Sequence, residues 1–321
     1  MDYKKICYLV LVYNELEYTI KTFESLLRQN QDKYQFDIIC VDNASDETYA
    51  SPLCQYCCEH NIRYLRHDVN DGYAGGNNYA YEIVKLEGYE IVFIANNDIE
   101  LLHPNITENV IDCFKTNDKI ALVGAPNVDK IGNYCQISGF AKLLAKLEKQ
   151  PQYKNEIFKT EPFVVGCFFA IRTNIKDLEF LFDYSYFMYD EEKDLEFRLM
   201  RSGYYIGSLC IPNMIIKHYG ADVEFQSRPD WFIYLFVRNY ILSSRKYRFL
   251  TKVVFYILYS CLVVKNAFLY RKNTFRGYWA GIYLLLTKKS REYIYEDAIE
   301  KVKTLGRTAK KNDNKKNSKL C

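Results

Sequence analysis

The sequence lacks the features that mark three broad classes of protein. Its 43 Lys and Arg nearly balance its 40 Asp and Glu, so a net charge of +3 gives no support to nucleic-acid binding by the chain as a whole. Residues 1–25 lack a signal peptide's basic start, apolar stretch and small-residue cleavage site. The 11 cysteines are odd in number, which does not suit a closed disulfide framework. We therefore expect a protein of the reducing cytoplasm.

A complete zinc-binding signature is also missing. Cys54, Cys57, Cys58 and His60 have the pair spacing of half a zinc knuckle, but no second Cys/His pair follows at a usable distance. The cluster thus supplies only half of a zinc signature, which favours packing over metal binding.

Long apolar runs are absent as well. The most apolar segment, residues 250–286, contains the uninterrupted run VVFYILYSCLVV, which is shorter than the roughly 20 residues of a membrane-spanning helix. Tyr, Trp and Arg are scattered through the segment, and a Lys-rich tail follows at 306–321. This pattern indicates a helical region at 245–305 that lies on an anionic membrane surface, at the inner face of the cell membrane. The alternative is a helical hairpin packed on the main domain, followed by a solvated tail.

The N-terminal part alternates buried strands with helical patterns. Apolar runs ending in polar residues predict four strands, in KICYLVLVYN, FDIICVDNAS, IRYLRH and YEIVFIANND. Helices are predicted between them and after the fourth, where Pro104 occupies a first helical turn. The order predicts an α/β fold with a parallel sheet covered on both faces. Beyond residue 120 the pattern changes to a mixed half with three further strands and helices after Asp190 and around Trp231.

Polar pairs follow each of the four predicted strands. They are Tyr13-Asn14, Asp42-Asn43, Asn70-Asp71 and Asn97-Asp98. In parallel sheets, ligands bind at the carboxyl ends of the strands, where these pairs are expected to converge. Asp98 is the kind of carboxylate that a hard divalent cation prefers when a substrate's phosphates supply the remaining ligands. The alternative for this Asn-Asn-Asp stretch is turn chemistry or a helix cap.

The stretch NDGYAGGNN, residues 70–78, is rich in glycine but matches neither a dinucleotide fingerprint nor a P-loop. Gly72, Gly75 and Gly76 follow the third strand, and no Lys-Ser or Lys-Thr pair comes after them. We expect these glycines to form a tight turn and to allow a close approach of strand and helix, with the helix itself at 77–87.

The acidic stretch in residues 182–206 is the most informative one. On a helix Glu191 and Asp194 share a side with Arg198, whereas Glu192 is turned away by about 100° and is less compensated. Crowded carboxylates beside an aromatic wall hold protons more tightly, which suits a general base near neutral pH. The alternative is that acidic residues only stabilise the helix start through its dipole.

Taken in order, these motifs resemble one family. VYNE, VDNASDE, NDGYAGGNN, NND, FDYSYFMYDEEKDLEFR, KHYG and RNY are similar to the series found in inverting nucleotide-sugar glycosyltransferases of family 2, particularly their rhamnosyltransferase-like branch. The resemblance covers residues 6 to about 240, and FRGYWAGIY is similar to a segment often found after that domain. It implies a GT-A fold over residues 1–244, with a nucleotide-binding half at 1–120 and an acceptor and catalytic half at 121–244.

The resemblance also implies roles for individual residues. Glu192 stands at the position of the family's catalytic base, where Asp is commoner, with Glu191 and Asp194 beside it. Asp98 and the late His218 would hold Mg²⁺ or Mn²⁺ on the donor's diphosphate, although Asn96 and Asn97 leave the D-x-D motif incomplete. The implied donor site comprises Tyr13, Asn14, Asp42, Asn70, Gly75, Asn97 and Asp98.

The implied reaction is sugar transfer with inversion from a UDP-, dTDP- or GDP-sugar to a bacterial surface polysaccharide or lipid-linked glycan. The incomplete D-x-D motivates an alternative, a catalytically inactive partner subunit that only binds nucleotide sugars. A nucleotidyltransferase is disfavoured because LVYNE, after the first strand, holds neither glycine nor a basic side chain. A glycoside hydrolase would require two carboxylates flanking the scissile bond and water as the acceptor.

Overall fold

The computed structural model describes residues 3–135, 138–176, 178–222, 228–269 and 272–317. The chain divides into two compact units. The first unit comprises Met1–Phe182 with Leu195–Asp222, and the second comprises Asp183–Asp194 with Val223–Cys321. Residues 223–244 are therefore grouped with the C-terminal helices, whereas the sequence pattern groups them with the N-terminal domain.

The first half of the first unit is a parallel α/β sheet, as predicted. Its strands are β1 (Ile6–Val12), β2 (Asp37–Asn43), β3 (Arg63–His67) and β4 (Ile91–Asn96), in the spatial order β3-β2-β1-β4. The connecting helices are α1 (Glu17–Leu27), α2 (Glu47–Glu59) and α3 (Gly72–Leu86). All three strand pairs are parallel, so the carboxyl ends of the four strands lie along one edge.

The second half makes the sheet mixed. Its strands are β5 (Ile99–Leu101), β6 (Ile120–Gly124), β7 (Asn127–Val128), β8 (Phe158–Thr160), β9 (Phe168–Arg172), β10 (Tyr205–Leu209) and β11 (Ile216–His218). Its helices are α4 (Ile106–Thr116), α5 (Gly139–Leu147) and α6 (Glu191–Arg201). Strand β9 runs antiparallel between β4 and β6, and the eight-stranded sheet continues through β10 to β8. A separate sheet of order β5-β11-β7 brings β11 beside the segment that follows β4.

The core of the first unit lies between the sheet and its helices. Tyr8 of β1 is fully buried and stacks on Phe93 of β4, with ring centroids 4.3 Å apart. Its hydroxyl lies 2.8 Å from Thr107 Oγ1, so its one polar atom is satisfied. On α2, Cys57 joins this core while Cys54 and Cys58 are exposed, so one helix turns the three thiols to different surroundings.

The glycine-rich stretch differs from the prediction. Helix α3 begins at Gly72, five residues before the predicted start at 77, so Gly75 and Gly76 lie inside the helix. Gly72 has a φ of +71°, which glycine adopts without steric cost. A Cβ on Gly76 would lie 2.6 Å from Leu11 Cδ1 of β1. The glycines therefore serve the close approach of helix and strand, as expected, but from within the helix.

The second unit is helical in its C-terminal part. It contains α7 (Asp230–Ser243), α8 (Phe249–Leu269), α9 (Lys272–Leu286) and α10 (Arg291–Asn317). Helix α9 packs closely on α7, because a Cβ on Gly277 would lie 2.5 Å from Tyr234 O and a Cβ on Gly281 would lie 2.7 Å from Ile241 Cβ. Helix α10 runs through most of the segment predicted as a basic tail, and residues 318–321 lie outside the described part. None of the helices in the described ranges combines the length and apolar character needed to cross a membrane.

Candidate active site

The first candidate cluster joins Asp98 to His218. Asp98 lies between β4 and β5, and β11 pairs antiparallel with β5 so that His218 is opposite Ile99. His218 Nε2 is 3.3 Å from Asp98 Oδ1, and the Tyr219 backbone N–H donates to Asp98 O over 2.9 Å. Two residues that are 120 positions apart in the chain are thus brought into contact by a three-stranded sheet.

The pKa of the His218 imidazole lies above its ordinary value. Burial alone would lower the pKa of His218, but hydrogen bonds to Asp98 and Cys167 outweigh that effect and raise the pKa to about 10. A metal ligand must be the neutral imidazole. Ligation through His218 therefore takes place through the deprotonated ring, a form that the raised pKa disfavours while Asp98 is its partner.

The surroundings of Asp98 fit a divalent cation with an open coordination sphere. A Cβ on Gly220 would lie 2.4 Å from Asp98 Oδ2 and 3.6 Å from His218 Nε2, so the glycine keeps space beside the second carboxylate oxygen. Asn96 Oδ1 is buried and has no hydrogen-bond partner. A carboxylate and an imidazole suit Mg²⁺ or Mn²⁺ that keeps further sites for water or phosphate. Within the described ranges, no group of three or more His, Cys, Asp and Glu side chains is placed to hold a metal ion.

A second group of polar residues ties together the ends of β1 and β2. Asn14 has a φ of +52°, and its backbone N–H donates to Ser45 Oγ over 3.0 Å. Its side chain exchanges hydrogen bonds with Asp46, with Asn14 Nδ2 3.2 Å from Asp46 Oδ2 and Asp46 N 2.8 Å from Asn14 Oδ1. The neighbouring Tyr13 ring is half exposed. This arrangement leaves an aromatic face open at the ligand edge, where a nucleotide base could stack.

Asp42 is engaged within the protein. It is fully buried and accepts hydrogen bonds from Ser45 N (2.9 Å), Arg66 Nη1 (2.6 Å) and the Tyr64 hydroxyl. Arg66 also donates from Nη2 to Ser45 O over 2.9 Å, and its side chain stays partly exposed. Asp42 thus fixes Arg66, which carries a positive charge to the end of β3. Sequence reasoning missed Arg66, whose only signal was a basic residue at a predicted strand end in IRYLRH.

The other predicted donor residues hold loops and helices in place. Asn70 Oδ1 accepts from Asn43 Nδ2 (3.1 Å) and from Gly72 N (3.0 Å), which fixes the start of α3. A Cβ on Gly75 would lie 2.4 Å from Asp71 Cβ. Asn97 Nδ2 donates to Thr19 Oγ1 of α1 over 2.9 Å, beside Asp98 in sequence. Their roles toward a donor stay predictions.

The acidic residues at the start of α6 belong to the second unit. Glu191 is almost fully buried, and its Oε2 has no hydrogen-bond partner. Burial first, and then the charge of Glu192, raise the pKa of Glu191 well above the usual range of a carboxyl. Burial also raises the pKa of Glu192, while Lys193 opposes the shift. Asp194 forms an ion pair with Lys246, a partner that the sequence did not reveal. Both adjacent glutamates are therefore poised to hold a proton more tightly than an exposed carboxyl.

Comparison with known proteins agrees with this fold. The profile of glycosyl transferase family 2 matches residues 7–178, which is more than half of the chain. The chain belongs to glycosyl transferase family 2 and is a glycosyltransferase with a GT-A fold. The low-salt glycan biosynthesis hexosyltransferase Agl10 of Haloferax volcanii is 24% identical over 213 residues, which are 65% of this chain and 67% of Agl10.

Solved structures share the fold. GalNAc-T7, crystallised with UDP, GalNAc and Mn²⁺, has a TM-score of 0.59 at 15% identity; the match covers 79% of this chain and only 50% of GalNAc-T7. The mannosyltransferase PcManGT of Pyrobaculum calidifontis, in complex with GDP-Man and Mn²⁺, has a TM-score of 0.54 at 13% identity, over 94% of this chain and 75% of PcManGT.

Proposed function

We propose that the chain transfers a hexosyl or deoxyhexosyl residue, with inversion, from a nucleotide-diphosphate sugar to a growing surface polysaccharide or lipid-linked glycan. The observation that carries this proposal is the contact of Asp98 with His218 beside Gly220, at the end of β4 in a family 2 fold. An accessible carboxylate there suits a cation that holds a diphosphate leaving group.

Asp98 and His218 would hold Mg²⁺ or Mn²⁺ on the donor. When bound, the cation supplies positive charge that stabilises the departing diphosphate. Glu192 takes the proton of the acceptor hydroxyl as the acceptor oxygen bonds to the anomeric carbon. The bond from that carbon to the diphosphate breaks on the opposite side, which inverts the configuration and requires no carboxylate nucleophile.

The relatives support the donor class and the cation. GalNAc-T7 and PcManGT were crystallised with UDP or GDP-Man and with Mn²⁺, and Agl10 is named as a hexosyltransferase of glycan biosynthesis. In this chain the half-exposed Tyr13 and the anchored Arg66 are suited to a nucleotide's base and negative charge.

The test is a donor panel. The full chain is incubated with UDP-, dTDP- and GDP-sugars and a lipid-linked acceptor, with and without Mn²⁺, and nucleotide release and glycan product are both measured. We expect turnover with one donor class, and more of it with Mn²⁺. If no donor is transferred or hydrolysed under any condition, the proposed reaction is wrong.

We also propose that the second unit docks on the inner face of the cell membrane through α8 and α9. Helix α8 buries Thr251, Phe255, Tyr259 and Val263. Its opposite side is apolar and exposed, with Phe249 83% exposed, and Trp279 and Leu286 of α9 are exposed too. Residues 231–291 contain no Asp or Glu, whereas Lys and Arg recur through them. Exposed apolar side chains in a segment whose charged residues are all basic complement an anionic lipid surface.

Vesicle sedimentation tests this surface in the full-length protein. Ile257→Glu should reduce binding to phosphatidylglycerol-containing vesicles about tenfold, since one large apolar contact is replaced by a like charge. Leu86→Glu is the matched control, because Leu86 is 89% exposed but belongs to α3 of the first unit. Equal binding of both variants and the wild type, or equal binding to neutral vesicles, would refute membrane docking through α8.

A further inference from the structure

The residues immediately before the acidic helix start adopt an unusual backbone conformation. Tyr189 and Asp190 have φ angles of +73° and +69°, and neither is a glycine. Side-chain-bearing residues disfavour this left-handed region, so two in succession persist only when their surroundings fix them. The turn leads directly into Glu191 and Glu192. Whatever fixes the turn therefore also fixes the direction in which α6 begins.

One buried side chain of α7 binds this turn. Asn239 is fully buried, and its Nδ2 donates to Met188 O over 2.8 Å and to Tyr189 O over 2.9 Å. Its Oδ1 accepts from Arg238 Nε over 3.0 Å. Both amide protons are used on consecutive backbone carbonyls, which constrains the intervening peptide in position and in rotation.

Other contacts from α7 are directed at the same turn. The Tyr189 ring packs edge-on against Phe232, with ring centroids 4.6 Å apart. Lys193 pairs with the Asp190 carboxylate, and its Nζ lies 4.4 Å from the centroid of the Tyr240 ring. These contacts hold the side chains of the turn, whereas Asn239 binds its backbone carbonyls.

We propose that Asn239 is a positioning residue for the Glu191–Glu192 pair. Its hydrogen bonds to Met188 O and Tyr189 O hold the left-handed turn in place and so set the orientation of the candidate base, and Asn239 itself does not contact substrate. The inference rests on the proposed function in one respect, that Glu192 is the general base. A small misplacement of a base relative to its acceptor proton lowers the rate of the chemical step, while donor binding is unchanged.

Asn239→Asp is the sharpest test in the full-length enzyme. It preserves the side-chain volume and the acceptor for Arg238, but it replaces the double donor with an oxygen facing two carbonyl oxygens. We expect kcat to fall by about 10²-fold with the donor KM unchanged. Asn239→Ala, which leaves no repulsive oxygen, should show a smaller fall of the same kind. Ser243→Ala is the matched control, because Ser243 is equally buried in α7 and its hydroxyl bonds only Tyr240 O of its own helix.

A double variant separates positioning from general destabilisation. If Asn239 acts through Glu192, adding Asn239→Asp to Glu192→Gln should cost little further activity, since the base has already been removed. Multiplicative losses in the double variant would overturn the proposal, as would wild-type kcat in both Asn239 variants or a loss matched by Ser243→Ala. A wild-type rate for Glu192→Gln would instead refute the assignment of the base, so the two failures are distinguishable.

Discussion

The two carboxylate clusters of this glycosyltransferase differ in their exposure to solvent and in the groups beside them. Asp98 has a side chain that is one-quarter exposed, lies 3.3 Å from His218, whose pKa is raised, and has space beside it because residue 220 is a glycine. Glu191 and Glu192 stand in a crowded acidic segment of the second unit, where burial raises the pKa of both. The first cluster offers a partly exposed carboxylate with space beside it for a cation, and in the second the raised pKa values favour uptake of a proton.

The difference follows from the elements that carry the residues. Asp98 lies in a short connection at a sheet edge, where solvent and ligands reach the end of β4. The glutamates begin α6 directly after the turn that Asn239 of α7 binds, and burial raises the pKa of both. Local solvation, more than residue type, thus separates a candidate metal ligand from a candidate base.

Removing the base should have the largest effect. Glu192→Gln is expected to lower kcat by about 10² to 10⁴-fold with donor affinity retained, since general base catalysis contributes that much and Gln cannot accept the proton. Steady-state kinetics and donor binding measured on the same preparation check this. Glu191→Gln is the comparison variant. A larger loss in Glu191→Gln would assign the base to Glu191, whose buried Oε2 has no hydrogen-bond partner.

Removing the anionic ligand should come next. Asp98→Asn is expected to lower activity by about 10²-fold and to raise the Mn²⁺ concentration needed for half-maximal activity, because the amide loses a charged ligand. Mn²⁺ binding followed by electron paramagnetic resonance gives a readout independent of turnover. Asp71→Asn is the control, because Asp71 also contacts a histidine, His67, over 2.9 Å at a strand end. If both variants bind Mn²⁺ as the wild type does, Asp98 is not the ligand.

Narrowing the space beside Asp98 should have a moderate effect. In Gly220→Ala the new Cβ would meet Asp98 Oδ2 at 2.4 Å, so the carboxylate must move. We expect Mn²⁺ affinity to fall about tenfold, a change that is common when a neighbour of a metal-binding side chain is substituted. Gly139→Ala, where no atom lies within 4 Å of the added carbon, is the neutral control. Unchanged Mn²⁺ affinity in Gly220→Ala would contradict the assigned site.

The smallest effect concerns pH. Because burial raises the pKa of Glu192, the acidic limb of the kcat profile should lie above the ordinary glutamate range, since the base works only when deprotonated. The positive charge of Lys193 lowers that pKa, so Lys193→Met should move the limb to still higher pH. A limb that stays in place or moves down in Lys193→Met would argue against Glu192 as the titrating group.

Much of the fold could be predicted from local sequence patterns. Apolar runs of strand length with helical spacing between them predicted β1 to β4 and their parallel order, because both faces of such strands are buried. Helix starts were less predictable. Glycines usually interrupt helices, yet α3 begins at Gly72. Asn43 Nδ2 donates to Gly72 O over 3.0 Å, and the glycines allow α3 to approach β1 closely. A contact 29 residues away overrode the local propensity.

By itself, the sequence determined the polar tips of the strands and the acidic start of α6, since those depend on residue type and spacing along one segment. Only the tertiary structure decided which side chains meet. The pairing of β5 with β11 joined His218 to Asp98, the packing of β2 with β3 turned Asp42 inward onto Arg66, and α7 supplied Asn239 to the turn at Tyr189. Such contacts join residues far apart in the chain, and their geometry exists only once the core has packed.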